Sequence, residues 1–168
     1  RNLGNIVMDL DDIETLDLNA LGGTDTVTVN HLAGTDLTTV NIDHAGTIGG
    51  TAGDAAADVV IVNGSNGADV IDVFGAGTSA SVLGLTARVN ITNFEGANDS
   101  LVVNALGGVD GVTATTLPAG VVRLTVDGGA GDAAELLPVK GIKRSGCFCS
   151  IQTVHDQAPA LSPTGTRG

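Results

Sequence analysis

Along residues 25–30 polar and apolar side chains alternate without a break, as Asp25-Thr26-Val27-Thr28-Val29-Asn30. An alternation of period two marks a strand with one buried face, so Val27 and Val29 are expected inward and Thr26 and Thr28 toward water. The phrase recurs. Anchored on Asp25, Asp36, Asp58, Asp69, Asp99 and Asp110, the positions two on hold Val27, Thr38, Val60, Ile71, Leu101 and Val112. The positions four on hold Val29, Val40, Val62, Val73, Val103 and Ala114. Asn follows at five in four of the copies, as Asn30, Asn41, Asn63 and Asn104. Asp58 and Asp69 open two copies eleven residues apart, and Asn-Ala-Leu-Gly-Gly-x-Asp occurs at 19 and again at 104. Self-similarity at a fixed spacing is the mark of a repeat architecture.

Ile13 to Leu18, Ser81 to Leu83, Arg88 to Ile91 and Val121 to Asp127 also read as strands, with Pro118-Ala119-Gly120 as a turn. Two stretches, 44–57 and 75–98, break the eleven-residue spacing, and the first is expected to form a longer loop or a bulged coil. The total is roughly nine or ten short strands, rich in the β-branched residues that strands favour. Such spacing suits a sandwich or barrel as well as a solenoid. The position-specific Asn, Gly and Asp favour an all-β parallel β-solenoid, or β-roll, of half-coils of about eleven residues. When coils stack, a turn residue recurs beside its own copy and hydrogen-bonds to it, a correspondence that sandwich strands do not need. Two frames then make a coil of twenty-two residues. An antiparallel β-sandwich is the alternative.

A chain of 168 residues fits one domain with an appendage. Its apolar content of 42% includes three Phe and no Tyr or Trp, so the core must be aliphatic. The 25 Gly follow no three-residue period, which excludes collagen. Residues 1–132 carry 17 acidic against three basic side chains, whereas residues 133–168 carry two against four. So acidic a body repels phosphate backbones and anionic lipid, which argues against nucleic-acid binding. No apolar run reaches the ~20 residues of a membrane span. The chain opens on Arg1-Asn2-Leu3-Gly4, without Met or a charged and apolar leader, and is expected to be a fragment or a processed piece.

Asn63-Gly64-Ser65-Asn66-Gly67-Ala68-Asp69-Val70-Ile71 resembles the nonapeptide G-G-x-G-x-D-x-U-x of the RTX (hemolysin-type) calcium-binding proteins. Gly64, Gly67, Asp69 and Ile71 match it, and Ser65 replaces its second Gly. Gly22-Gly23-Thr24-Asp25 and Gly107-Gly108-Val109-Asp110 match in part, and Gly128-Gly129-Ala130-Gly131 matches the glycines but has Ala133 where the family has Asp. The resemblance implies a calcium-stabilised structural repeat module of a secreted or cell-surface bacterial protein, with neighbouring repeats of a larger parent as partners. It implies calcium at Asp69, Gly64 and Gly67, and at Asp58, Asp25, Asp36, Asp99 and Asp110. The chemistry suits the ion, which takes about 6–8 oxygen ligands from carboxylates and from carbonyls such as Gly-rich turns expose. Asp side chains stacked at ~4.8 Å repel by roughly 1 kcal/mol per pair even in water, a cost that a divalent cation reverses. Asp and Asn are also ordinary turn formers that bond their own backbone, and the period here is eleven and not nine.

Catalysis finds little support, because Asp residues that recur with every frame serve a scaffold and a catalytic pair is needed once. The chain is therefore read as not an enzyme. A metal-independent adhesin stalk is the runner-up. A polysaccharide-active β-helix enzyme, with Arg88 or Arg123 beside two carboxylates, is a distant third. His31 and His44 are expected as solvated turn residues. From Ala133 the composition changes: the segment holds Cys147, Cys149 and three of the four Pro. It is expected to be a disordered tail, separate from a repeat domain of residues 1–132, and a change of reading frame near residue 132 accounts for the contrast.

Overall fold

The computed structural model describes residues 11–129 and a two-residue strand at 143–144, all of it strand, turn and loop, with no helix among them. Ten strands run in order: β1 (Thr15–Asn19), β2 (Thr26–Val29), β3 (Thr39–Asp43), β4 (Val59–Asn63), β5 (Val70–Ala76), β6 (Ser79–Leu83), β7 (Arg88–Thr92), β8 (Ser100–Asn104), β9 (Gly111–Thr113) and β10 (Arg123–Asp127). β11 is Lys143–Arg144. The rest of the expected tail, with Cys147 and Cys149, lies outside the described residues, as do Ala130 to Asp132 of the last glycine match.

Alternation sorts the strands into two sheets. One has the order β1-β3-β7-β6-β5-β9 and the other β11-β10-β8-β4-β2. The chain passes from one to the other between most successive strands, and the neighbours in each sheet pair in parallel except around β6. The antiparallel arrangement expected as an alternative is confined to β5–β6 and β6–β7.

The repeat frame is visible in the register. Val27 pairs with Val60, Val60 with Leu101 and Leu101 with Leu124, so one frame position forms a column across four strands. Val29, Val62, Val103 and Val126 form the next column. In the other sheet Ile71 pairs with Val112, uniting the frames that open at Asp69 and Asp110. These columns face inward: Val60, Val62, Ile71, Val73, Val89, Ile91, Leu101, Val103 and Val112 are fully enclosed. Aliphatic residues of similar size stack in register, and Phe94 is the one aromatic side chain of this core cluster.

Two expectations are corrected. The frame at Asp36 starts ahead of its strand: Thr38, just before β3, is exposed, and the inward pair is Val40, the frame's fourth position, with Ile42, opposite Val89 and Ile91. The repeat length is also not a uniform twenty-two residues. Leu16 pairs with Val40, 24 residues on, whereas Val27 pairs with Val60, 33 on, and Val60 with Leu101, 41 on. The irregular stretches supply the difference. Residues 44–58 form a loop between β3 and β4, and β6 with β7 turns residues 70–92 into a three-stranded meander.

Glycine makes the meander possible. Gly77 (φ 61°) opens the two-residue turn from β5 to β6, as a tight hairpin requires. Gly84 (φ 94°) starts the connection to β7, and a Cβ there would lie 1.8 Å from the Val70 carbonyl oxygen. Gly84→Ala is therefore expected to cost at least ~1–3 kcal/mol through backbone strain alone. Urea denaturation should show the midpoint falling, and Gly111→Ala, where a Cβ meets nothing within 4 Å, should fall less.

Candidate functional site

Period two also decides where the frame Asp residues point. Asp58 is two residues before Val60, and Asp99 two before Leu101, so each carboxylate stands on the inward side at the corner where its strand begins. Asp58, Asp99 and Asp110 are accordingly buried. Buried carboxylates need hydrogen-bond donors. The donor is the backbone of the equivalent Asp on the adjacent strand: the Asp25 N–H donates to Asp58 Oδ1 (2.8 Å), that of Asp58 to Asp99 Oδ1 (3.0 Å) and that of Asp69 to Asp110 Oδ1 (2.7 Å). The Asp69 carboxylate accepts the N–H and hydroxyl of Ser65, four residues back (2.7 Å and 3.1 Å at Oδ2). Gly64 makes room for it, since a Cβ there would meet Asp69 Oδ2 at 2.7 Å. Gly67 lies in the same turn, where its N–H donates to Ser65 Oγ (3.0 Å) and its carbonyl accepts from it (3.2 Å).

The Asn at position five forms side-chain ladders. Asn104 Nδ2 donates to Asn63 Oδ1 (2.8 Å) and Asn63 Nδ2 to Asn30 Oδ1 (2.9 Å). On the other sheet Ser81 Oγ donates to Asn90 Oδ1, Asn90 Nδ2 to Asn41 Oδ1 and Asn41 Nδ2 to Asp17 Oδ1. The copy-to-copy hydrogen bonding expected from the recurrence is present.

Of the residues expected to hold a metal, Asp58 and Asp99 come together with a residue read quite differently. His44 is 1% exposed, not a solvated turn residue. Its Nδ1 lies 3.7 Å from Asp58 Oδ2 and 3.7 Å from Asp99 Oδ2. Neither ring nitrogen has a hydrogen-bond partner, and the ring stands edge-on to Phe94 with centroids 5.2 Å apart. The signal was present in the sequence, because His44 continues the inward series Val40, Ile42 beyond the end of β3. Asp36 joins a different group, exposed, with Asp11 and Asp12. Asp25, Asp69 and Asp110 belong to neither group. Burial raises the Asp58 carboxyl above its ordinary 3.8, against the lowering by the Asp25 N–H and by His44.

The loop 44–58 closes over this corner and is pinned by carboxylates. Asp54 accepts the N–H groups of Gly23 (2.6 Å) and Ala56 (2.9 Å), and Glu95 accepts that of Ala55 (2.6 Å). At Asp43 burial alone would raise the carboxyl, but hydrogen bonds from Asn93, Ala45 and Thr92 hold it below 3.8. The N–H of Ala56, then that of Gly23, hold half-buried Asp54 below 3.8. With a lowered folded pKa, the Asp54 contribution is present above 3.8 and is lost as pH falls through the lowered value. Asp54→Asn should therefore unfold at lower denaturant than the parent at pH 7, and the gap should narrow on acidification below 3.8.

No family model, curated protein or solved structure matches the chain. Its function must be argued from its own residues. Arg88 is exposed, and the Arg123 guanidinium donates to the carbonyl oxygens of Asn98 and Asp99.

Proposed function

We propose that residues 11–129 are a parallel β-solenoid that serves as a structural module, a spacer or stalk of a secreted or surface protein, and that its strands stack without calcium. The observation that carries this reading is the chain of Asp-to-backbone hydrogen bonds from Asp25 through Asp58 to Asp99, with its counterpart from Asp69 to Asp110. Each carboxylate there stabilises the neighbouring strand directly, so the recurrence of Asp is explained by strand stacking alone. The in-register columns and Asn ladders support the solenoid form. Residues that recur from strand to strand serve the scaffold, which also supports a module that is not an enzyme.

The calcium-dependent RTX-like form of the same module is the second reading. It is favoured by the exposed all-carboxylate group Asp11, Asp12 and Asp36, whose oxygens lie within 4.8 Å of one another. Far-UV circular dichroism of the whole chain, begun in chelator and followed by calcium, separates the two. A β-signal already present in chelator and unmoved by calcium supports the metal-independent stalk. A coil that becomes β only with calcium, and not with magnesium, overturns it in favour of the RTX-like form.

A further inference from the structure

We infer that His44, Asp58 and Asp99 form a buried site for a zinc-class divalent cation. Three observations converge on it. First, His44 Nδ1 sits 3.7 Å from one oxygen of each carboxylate, and the three donor atoms lie within 4.8 Å of one another. That is too long for a hydrogen bond. It is close to the ~3.4 Å that separates tetrahedral ligands when each is ~2.1 Å from zinc. The three side chains are thus set as if around a common point. Second, both ring nitrogens of His44 are buried without a partner. An unpaired imidazole enclosed by protein is costly, and coordination through Nδ1 removes that cost at the nitrogen facing the carboxylates. Third, the charge balances. The corner encloses two carboxylates at 2% and 1% exposure. A divalent cation offsets two carboxylate charges.

The donor set selects the ion. Calcium takes about 6–8 oxygens, and this corner supplies one nitrogen and two carboxylates inside a closed core. A nitrogen donor with few ligands suits zinc, or cobalt in its place. The carboxylates are also held as metal ligands usually are, by hydrogen bonds behind them. Asp58 Oδ1 accepts the Asp25 N–H, Asp99 Oδ1 that of Asp58 (3.0 Å), and Asp99 Oδ2 that of Glu95 (2.7 Å). These bonds fix the carboxylates, with Asp58 Oδ2 and Asp99 Oδ2 each 3.7 Å from His44 Nδ1. The site ties together the ends of three segments far apart in sequence: β3, which His44 follows, and β4 and β8, which Asp58 and Asp99 precede. A metal there would clamp the loop 44–58 to the core.

The test uses the full chain with Cys147→Ser and Cys149→Ser, so that no thiol contributes metal affinity. The chain is refolded with equimolar zinc, desalted, and its metal measured by mass spectrometry. About one zinc per chain is expected, falling below about a tenth in His44→Phe, which keeps the ring packing, and in Asp58→Asn, which keeps an acceptor for the Asp25 N–H. No retained zinc in the parent, or undiminished zinc in a folded His44→Phe, would overturn the assignment. If both variants fail to fold, cobalt on the parent decides: intense visible bands of a low-coordinate ion support the site, and the weak spectrum of aqueous cobalt refutes it. Retained zinc in a chain that shows no β-signal in chelator would uphold this site and sink the metal-independent module instead.

Discussion

Asp99→Ala is expected to lower the free energy of unfolding by about 2–4 kcal/mol, because two backbone donors lose their acceptor at once. Those donors are the Asp58 N–H, held by Oδ1 at 3.0 Å in a buried position, and the Glu95 N–H, held by Oδ2 at 2.7 Å where it is half-buried. An orphaned buried donor costs about 1–3 kcal/mol, and relief of the repulsion between the Asp58 and Asp99 carboxylates returns a part of it. Asp99→Asn should lose less, since its amide oxygen still accepts from Asp58 while its NH2 group faces the Glu95 N–H. Urea denaturation of the three proteins measures this directly. Equal stability of Asp99→Ala and the parent would mean that the Asp residues are not strand caps.

Leu101→Ala is expected to cost about 2–5 kcal/mol, toward the upper part of that range. Leu101 is fully enclosed and stands mid-column, with Val60 beside it on one strand and Leu124 on the other. Its strand β8 is flanked on both sides, by β4 and β10, so the cavity cannot be relieved by collapse toward an edge. Val102→Ala, next along but facing outward and only half-buried, should cost well under half as much. A denaturation series over Val102 and Leu101 that showed no such contrast would contradict the inward columns.

Much of this architecture was legible because the side-chain period of a strand is two. The frame placed Val60, Val62, Leu101 and Val103 inward, but it did not separate the copies by sheet: those at Asp58 and Asp69, eleven residues apart, lead into strands of opposite sheets. It failed at Asp36 at one position: Thr38 shares the parity of Val40 and Ile42 but stands before β3 begins and is exposed. Alternation fixes the face of a residue and not where the strand starts. The meander at 70–92 was read as strands without its direction, since antiparallel pairing depends on the short turn at Gly77 and leaves no mark in the frame. The candidate site was half legible. Asp58 and Asp99 stood out through recurrence, but His44 occurs once, next to an irregular loop, and a repeat-based reading discounts what does not repeat. Following the alternation one step past Ile42 would have turned His44 inward and set it against the core.

Carboxylates that hold the backbone of the next strand are tested most directly by amide hydrogen exchange of the whole chain in chelator. The N–H groups of Asp25, Asp58 and Asp69 precede their strands, where an uncapped amide would exchange rapidly. They are expected to be as protected as the amides within β4 and β8, and Asp99→Ala should release Asp58 selectively. Rapid exchange at all three positions in the parent, slowed only when calcium is added, would contradict the account.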